Sequence, residues 1–155
     1  MDVKYLNLYN LFVKLTTNKN LYQSLSKQDT FSDRLTLFLF HFAFFLKVFK
    51  KNENTEILQE IYDFIFRQIE LSIREIGYGD QSINKKMKDY INIFHGIVST
   101  IHFWEKMDYN KREEEITIYL KDFNEKKYLI EYFDQFRVNL SKKTLNSFLK
   151  SVSNH

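Results

Sequence analysis

No proline occurs in these 155 residues, and only three glycines do. Tight hairpins and irregular loops lean on those two residues for pre-bent or left-handed backbone. A chain almost without them is poorly equipped for an all-β or loop-rich fold. The same shortage excludes collagen-like and Pro-rich linker character. Aromatic residues make up 17%, with 16 Phe and 10 Tyr, so large rings must fill the core. With 44% hydrophobic and 28% charged residues the composition is globular, and the length suits one domain over 1–155. Cysteine is absent, which excludes disulfides, thiolate metal sites, iron–sulfur clusters and Cys nucleophiles.

The net charge is +3, but its placement is more telling. Residues 1–51 carry +5, 52–80 carry −5, 81–112 carry +3, 113–134 carry −4 and 135–155 carry +4. Alternating blocks can pair inside a fold, and no single basic arm stands out. That disfavours a nucleic-acid partner. The N-terminus lacks the basic region, apolar run and small-residue cleavage site of a secretory signal. The most apolar stretch, Leu35–Phe49, is shorter than the ~20 residues that cross a bilayer and is interrupted by His41 and Lys47. It reads as a buried helix. The expected location is the cytoplasm, with contact at the inner face of a membrane as the variant reading.

Apolar residues recur at helical spacing almost throughout. Val3–Leu15 places Leu8, Leu11, Phe12 and Leu15 on one face. Asn18–Leu25 is short and polar. Thr30 or Ser32 is placed to cap a helix running to about Lys50, with Lys47, Lys50 and Lys51 at its negative end. Thr55–Ile76 carries the stripe Ile57, Leu58, Ile61, Ile65, Ile69, Ile73 and Ile76. Its outer face holds Glu56, Glu60, Asp63, Arg67, Glu70 and Arg74, with two acid–base pairs at i,i+4. Gly77 sits where a helix end wants a left-handed residue. Ser82 is read as the N-cap of a helix from Ile83 to about Met107. Glu113–Phe123, Lys127–Val138 and Thr144–Val152 read as three shorter helices, the last capped by Ser141. The expected architecture is all-α: a single compact bundle of about six or seven helices.

Chemistry-bearing patterns are weak. His95 and His102 share a helix face but stand about 10 Å apart by helical rise, too far for one metal ion. His41 lies in an apolar run and reads as a hydrogen-bonded core histidine; His155 is terminal. No His-Glu-x-x-His motif and no nucleophile elbow occurs. Gly77-Tyr78-Gly79-Asp80 lacks the spacing of a phosphate loop. Lys85, Lys86 and Lys88 make a basic helix start that reads as a solvated face. Nothing in these residues by itself demands an enzyme, a cofactor or a metal, and the expected reading is a soluble helical binding domain.

One stretch says more. Leu71-Ser72-Ile73-Arg74-Glu75-Ile76-Gly77-Tyr78-Gly79-Asp80-Gln81-Ser82-Ile83-Asn84-Lys85-Lys86-Met87-Lys88 closely resembles the signature of the ubiquinol–cytochrome c chaperone family. That signature runs Leu-Arg-Glu, an apolar residue, Gly-x-Gly-Asp, x-Ser-Val and a basic helix start. Its aromatic–aromatic–Gly continuation is met in part by Phe94-His95-Gly96. Upstream, Asp29-Thr30-Phe31, Arg34 and His41 resemble a second family segment in the same order. The likeness covers roughly residues 8–105. Gln68, Asn84, His95 and Ile97 depart from the residues usual there.

The resemblance implies an all-helical, non-enzymatic chaperone that holds newly made cytochrome b during assembly of respiratory complex III. It also implies a small partner protein and work near the ribosome. The partner-binding residues it implies are Arg34, His41, Arg74, Glu75, Gly77, Gly79, Asp80, Ser82, Lys85, Lys86, Phe94 and Gly96. Gly77 and Gly79 are both expected to permit positive φ. A groove lined by aromatics would grip apolar client segments. The acidic stripe Glu56, Glu60, Asp63 and Glu70 would face basic client loops. The competing reading is a peripheral membrane- or lipid/quinone-binding helical protein, motivated by Leu35–Phe49 and the basic terminal blocks.

Overall fold

A helix that is apolar on every side persists only where other elements enclose it. Phe31–Phe49 is such a helix. In the computed structural model, which describes residues 4–22 and 31–153, it forms the centre of the fold as α3. Every residue from Leu35 to Phe45 is buried. Around it run α1 (Leu6–Thr16), the single-turn α2 (Lys19–Tyr22), α4 (Thr55–Glu75), α5 (Asp80–Ile101), α6 (Tyr109–Tyr119), α7 (Lys126–Ser141) and α8 (Leu145–Ser153). α1, α5 and α7 lie directly against α3. No β-strand occurs among the described residues, and the all-α architecture stands, with α2 as an extra turn. Of the two N-cap candidates for α3, Thr30 lies outside the described residues, as do Asp29 and His155, and Ser32 falls inside the helix.

Rings carry the packing. Phe12 of α1 meets Phe38 and Phe45 of α3 edge-on, at 5.8 and 5.5 Å between centroids. Phe42 stacks on Phe94 of α5 at 5.2 Å, and Phe44 stacks on Phe133 of α7 at 5.5 Å. Phe45 also reaches Phe148 of α8 at 5.7 Å. Such pairs add about 0.5–1.5 kcal/mol each beyond their buried area. Successive positions on α3 therefore address different neighbours.

Several boundaries differ from the sequence pattern, each for a local reason. α5 stops at Ile101 rather than Met107, because Trp104 turns inward to meet Phe44 edge-on at 5.1 Å. The carbonyls released there find new donors. The Lys47 ammonium donates to the His102 carbonyl at 2.9 Å, and the Arg112 guanidinium donates to the Trp104 carbonyl at 2.8 and 3.1 Å. The Trp104 indole N–H donates to Asp134 at 3.2 Å, and Arg137 contacts both Asp134 and Glu105. Partial burial pushes the Glu105 and Asp134 carboxyls up, but their hydrogen bonds and neighbouring cations outweigh it and hold both below the usual range. α6 begins at Tyr109, capped by Asp108, which accepts from the Lys111 N–H at 2.8 Å. α8 is capped by Thr144, whose hydroxyl oxygen accepts from the Ser147 N–H at 3.1 Å; Ser141 instead ends α7.

His41 is fully enclosed in this core, with Tyr132, Phe133 and Phe136 rings edge-on around it. The Leu37 carbonyl, 2.7 Å from Nδ1, has no proton to give, so Nδ1–H is the donor. Nε2 then accepts from the Tyr132 hydroxyl at 2.7 Å. Burial lowers the His41 pKa to about 4, against a smaller opposing push from the Leu37 carbonyl. Burial likewise raises the Tyr132 phenol well above its ordinary range. Between pH 6.5 and about 4 the unfolded chain binds a proton that the folded chain refuses, so stability falls as acid is added through that window. Above pH 6.5 the contribution is flat. Urea unfolding at pH 7 and pH 5 should show a loss of roughly 2 kcal/mol from this group. The double variant His41→Phe/Tyr132→Phe should lack that part of the loss; an unchanged pH profile would refute the assignment.

Candidate functional site

α4 and α5 form a helical hairpin closed by four residues, Ile76 to Gly79. The inward face of α4 buries Ile61, Ile65, Ile69 and Ile73, joined by Phe64 and Phe66. Ile76 continues that stripe past the end of the core and is 50% exposed. The Ile76 and Gly77 N–H groups donate to the Ile73 and Arg74 carbonyls at 3.2 and 3.0 Å, closing the last turn. Gly77 then takes φ +103°, a conformation that strains any L side chain. One such residue is enough to lead the chain out of α4. Gly79 consequently has extended backbone, φ −74° and ψ 164°, and a Cβ there would meet nothing within 4 Å. The expected positive φ at Gly79 is not found. Gly79, not Ser82, occupies the N-cap of α5, and Ser82 is exposed in the first turn.

Charge pairs brace this turn from both sides. The Arg74 guanidinium donates to Asp80 at 2.9 Å and lies 3.9 Å from Glu70. Asp80 sits in the first turn of α5, where the positive helix end favours a carboxylate. The Lys86 ammonium lies 4.5 Å from the centre of the Tyr78 ring. Exposed ion pairs such as Arg74–Asp80 are worth only about 0–1 kcal/mol, so they set the shape of the turn more than its stability. Glu75 and Lys85 are exposed beside it. Leu71 and Tyr78, 40% and 41% exposed, add apolar surface to that of Ile76.

Next to the hairpin, α1, α3 and α4 enclose a cavity of about 280 Å³. Tyr9, Val13, Phe38 and Ile69 make its apolar wall, and Arg34 also lines it. The Tyr9 hydroxyl lies 3.2 Å from the Ser72 hydroxyl, fixing α1 to α4 at its edge. Arg34 and the turn residues therefore belong to one end of the molecule. The wall residues carry no sequence motif of their own, because they come from three separated segments.

Three residues of the expected set are placed elsewhere. His41 and Phe94 are buried in the aromatic core. Gly96 faces α6, where a Cβ would come within 2.5 Å of the Tyr119 hydroxyl. All three present packing surface, because the helical period turns these positions inward. The acidic stripe is also partly engaged. Glu60 accepts from the Tyr5 hydroxyl at 2.6 Å and lies 3.9 Å from Lys4, and the Gln59 amide donates to Asp63 at 3.0 Å. No helix among the described residues is long and apolar enough to cross a membrane.

Comparison with known proteins bears on this geometry. The family model described as Ubiquinol-cytochrome C chaperone matches residues 23–102, a span that contains α3, α4, α5 and the braced turn. The crystal structure of the Cbp3 homolog from Brucella abortus is similar with a TM-score of 0.78 and 25% identity, covering 95% of this chain and 85% of that one. No curated protein sequence matches.

The two glycines of the turn should respond differently to alanine. Gly77→Ala should cost about 1–2 kcal/mol in urea unfolding through its left-handed backbone. Gly79→Ala should stay within about 0.5 kcal/mol of the parent. Equal losses at both positions would contradict this account of the turn.

Proposed function

Since the chain belongs to the ubiquinol–cytochrome c chaperone family, we propose that it assists assembly of respiratory complex III by holding newly made cytochrome b. The family match over residues 23–102 is the observation that carries this reading. The fold is compatible with a protein that binds and releases: its helices leave half-exposed apolar side chains at one end, where Ile76, Leu71 and Tyr78 stand beside the cavity lined by Arg34.

The client is a membrane protein, so its segments are apolar until they enter the bilayer. Ile76 and the wall of Tyr9, Val13 and Phe38 offer surface that such segments would cover. Contact with a few exposed side chains gives affinity low enough for hand-over to the next assembly step. Arg74, Glu75, Asp80, Ser82, Lys85 and Lys86 surround that surface with both signs of charge and orient the client. Gly77 and Gly79 give the turn its shape. Arg34 pairs the apolar wall with a cation at the other margin.

Affinity capture of the tagged chain from cells that make cytochrome b should enrich that subunit over a tag control. Ile76→Asp/Tyr78→Asp should abolish the enrichment while the thermal midpoint stays unchanged, both positions being exposed. Deletion of the gene should lower the cellular content of complex III. Absence of enrichment together with normal complex III would rule this function out.

A further inference from the structure

A larger cavity, about 700 Å³, opens at the other end of the α4–α5 hairpin, where α3 ends and α4 begins. With α4 21 residues long, it lies about 30 Å from the braced turn. Its volume falls in the range of roughly 300–1,000 Å³ that accommodates small-molecule ligands. Leu46, Leu58, Tyr62 and Val98 give it an apolar floor. Lys47, Lys50, Lys51, His95 and His102 stand around it, and no carboxylate lines it.

The lysines are not equivalent. Lys47 is already committed, 3.1 Å from Glu105 and bonded to the His102 carbonyl. Lys50 and Lys51 are exposed and have no carboxylate partner among the described residues. The positive end of the α4 dipole lies at the same place, since Thr55, the first residue of α4, lines the cavity. The ends of α3 and α5 bring negative helix poles to the same place, so Lys50 and Lys51 carry the positive potential of this apolar trough. The helical walls offer no sheet edge to which a strand could add. A ligand with an acidic head and hydrocarbon behind it satisfies both features at once.

We propose that this cavity takes the acidic headgroup and upper acyl chain of a phospholipid in an anionic membrane, with Lys50 and Lys51 holding the phosphate and Leu58, Tyr62 and Val98 covering the chain. The site would attach the protein to the bilayer surface by its far end. The turn and the smaller cavity would stay free. This inference is independent of the identity of any client.

The test uses the full chain with vesicles of phosphatidylglycerol or of phosphatidylcholine, and with soluble dihexanoyl phosphatidylglycerol followed by amide chemical shifts. Phosphatidylglycerol vesicles should carry the protein in flotation at low salt, phosphatidylcholine vesicles should not, and binding should fade as salt is raised. The soluble lipid should shift amides of residues 50–58 and 95–102 selectively. Lys50→Glu/Lys51→Glu should weaken vesicle binding at least tenfold. Lys127→Glu/Lys142→Glu, the same charge change elsewhere, should weaken it far less. The milder Lys50→Gln/Lys51→Gln serves if the first variant unfolds early, and should still weaken binding severalfold. Equal loss in both Glu variants would overturn the proposal, leaving only non-specific attraction. Binding of the soluble lipid without any vesicle binding would overturn the membrane source and leave a free acidic amphiphile as the occupant. No binding to either would overturn the site itself.

Discussion

Everything in this fold follows from the need to enclose α3. Eleven consecutive residues, Leu35 to Phe45, are buried, so the helix has no face to offer water. Helices on every side are the only remedy available to a chain with no proline and three glycines. Ring-on-ring contacts with α1, α5, α7 and α8 supply the attraction, and their edge-on and stacked geometries fix which phenylalanine meets which neighbour. The two polar side chains on the Leu35–Phe45 stretch are both satisfied: Thr36 donates to the Ser32 carbonyl, and the ring nitrogens of His41 are bonded, one to its own helix and one to α7.

Enclosure also explains how charge is deployed. The polar cluster of Lys47, Glu105, Arg112, Asp134 and Arg137 surrounds Trp104, where α5 breaks so that an indole can fill the space beside Phe44. Opposite charges from distant parts of the chain meet here, Lys47 with Glu105 and Arg112 with Asp134. The signature turn is a different case. Its pairs are exposed and weak, and Gly77 does the conformational work. The two ends of the α4–α5 hairpin are consequently unlike: a braced turn beside a small apolar cavity at one, a wider trough at the other, where Lys50 and Lys51 have no carboxylate partner among the described residues.

Much of the fold was legible in advance. The isoleucine stripe of α4 predicts its buried face from Ile61 to Ile73, and the apolar run Leu35–Phe49 predicts a buried helix. The motif around Gly77 places the chain in its family. The candidate site was legible less evenly. Arg74, Asp80 and Gly77 stand where the motif suggests, but His41 and Phe94 belong to the core and Gly96 packs against Tyr119, because a linear motif mixes surface and buried positions that the helical period separates. The larger trough has no signature in the sequence. Its lysines look like ordinary helix-end cations, and its floor comes from three helices.

Composition, periodicity and motif by themselves determined that this chain is helical, that Leu35–Phe49 is a buried helix, and which family it belongs to. These properties depend on neighbours a few residues apart, which the linear order records. Only the tertiary structure decided where α5 breaks, which glycine takes the left-handed turn, which motif residues face solvent, and where two concavities open. Those outcomes depend on side chains brought together from far along the chain, such as Trp104 with Phe44 or Lys47 with the His102 carbonyl. Their partners become known only when the helices are packed.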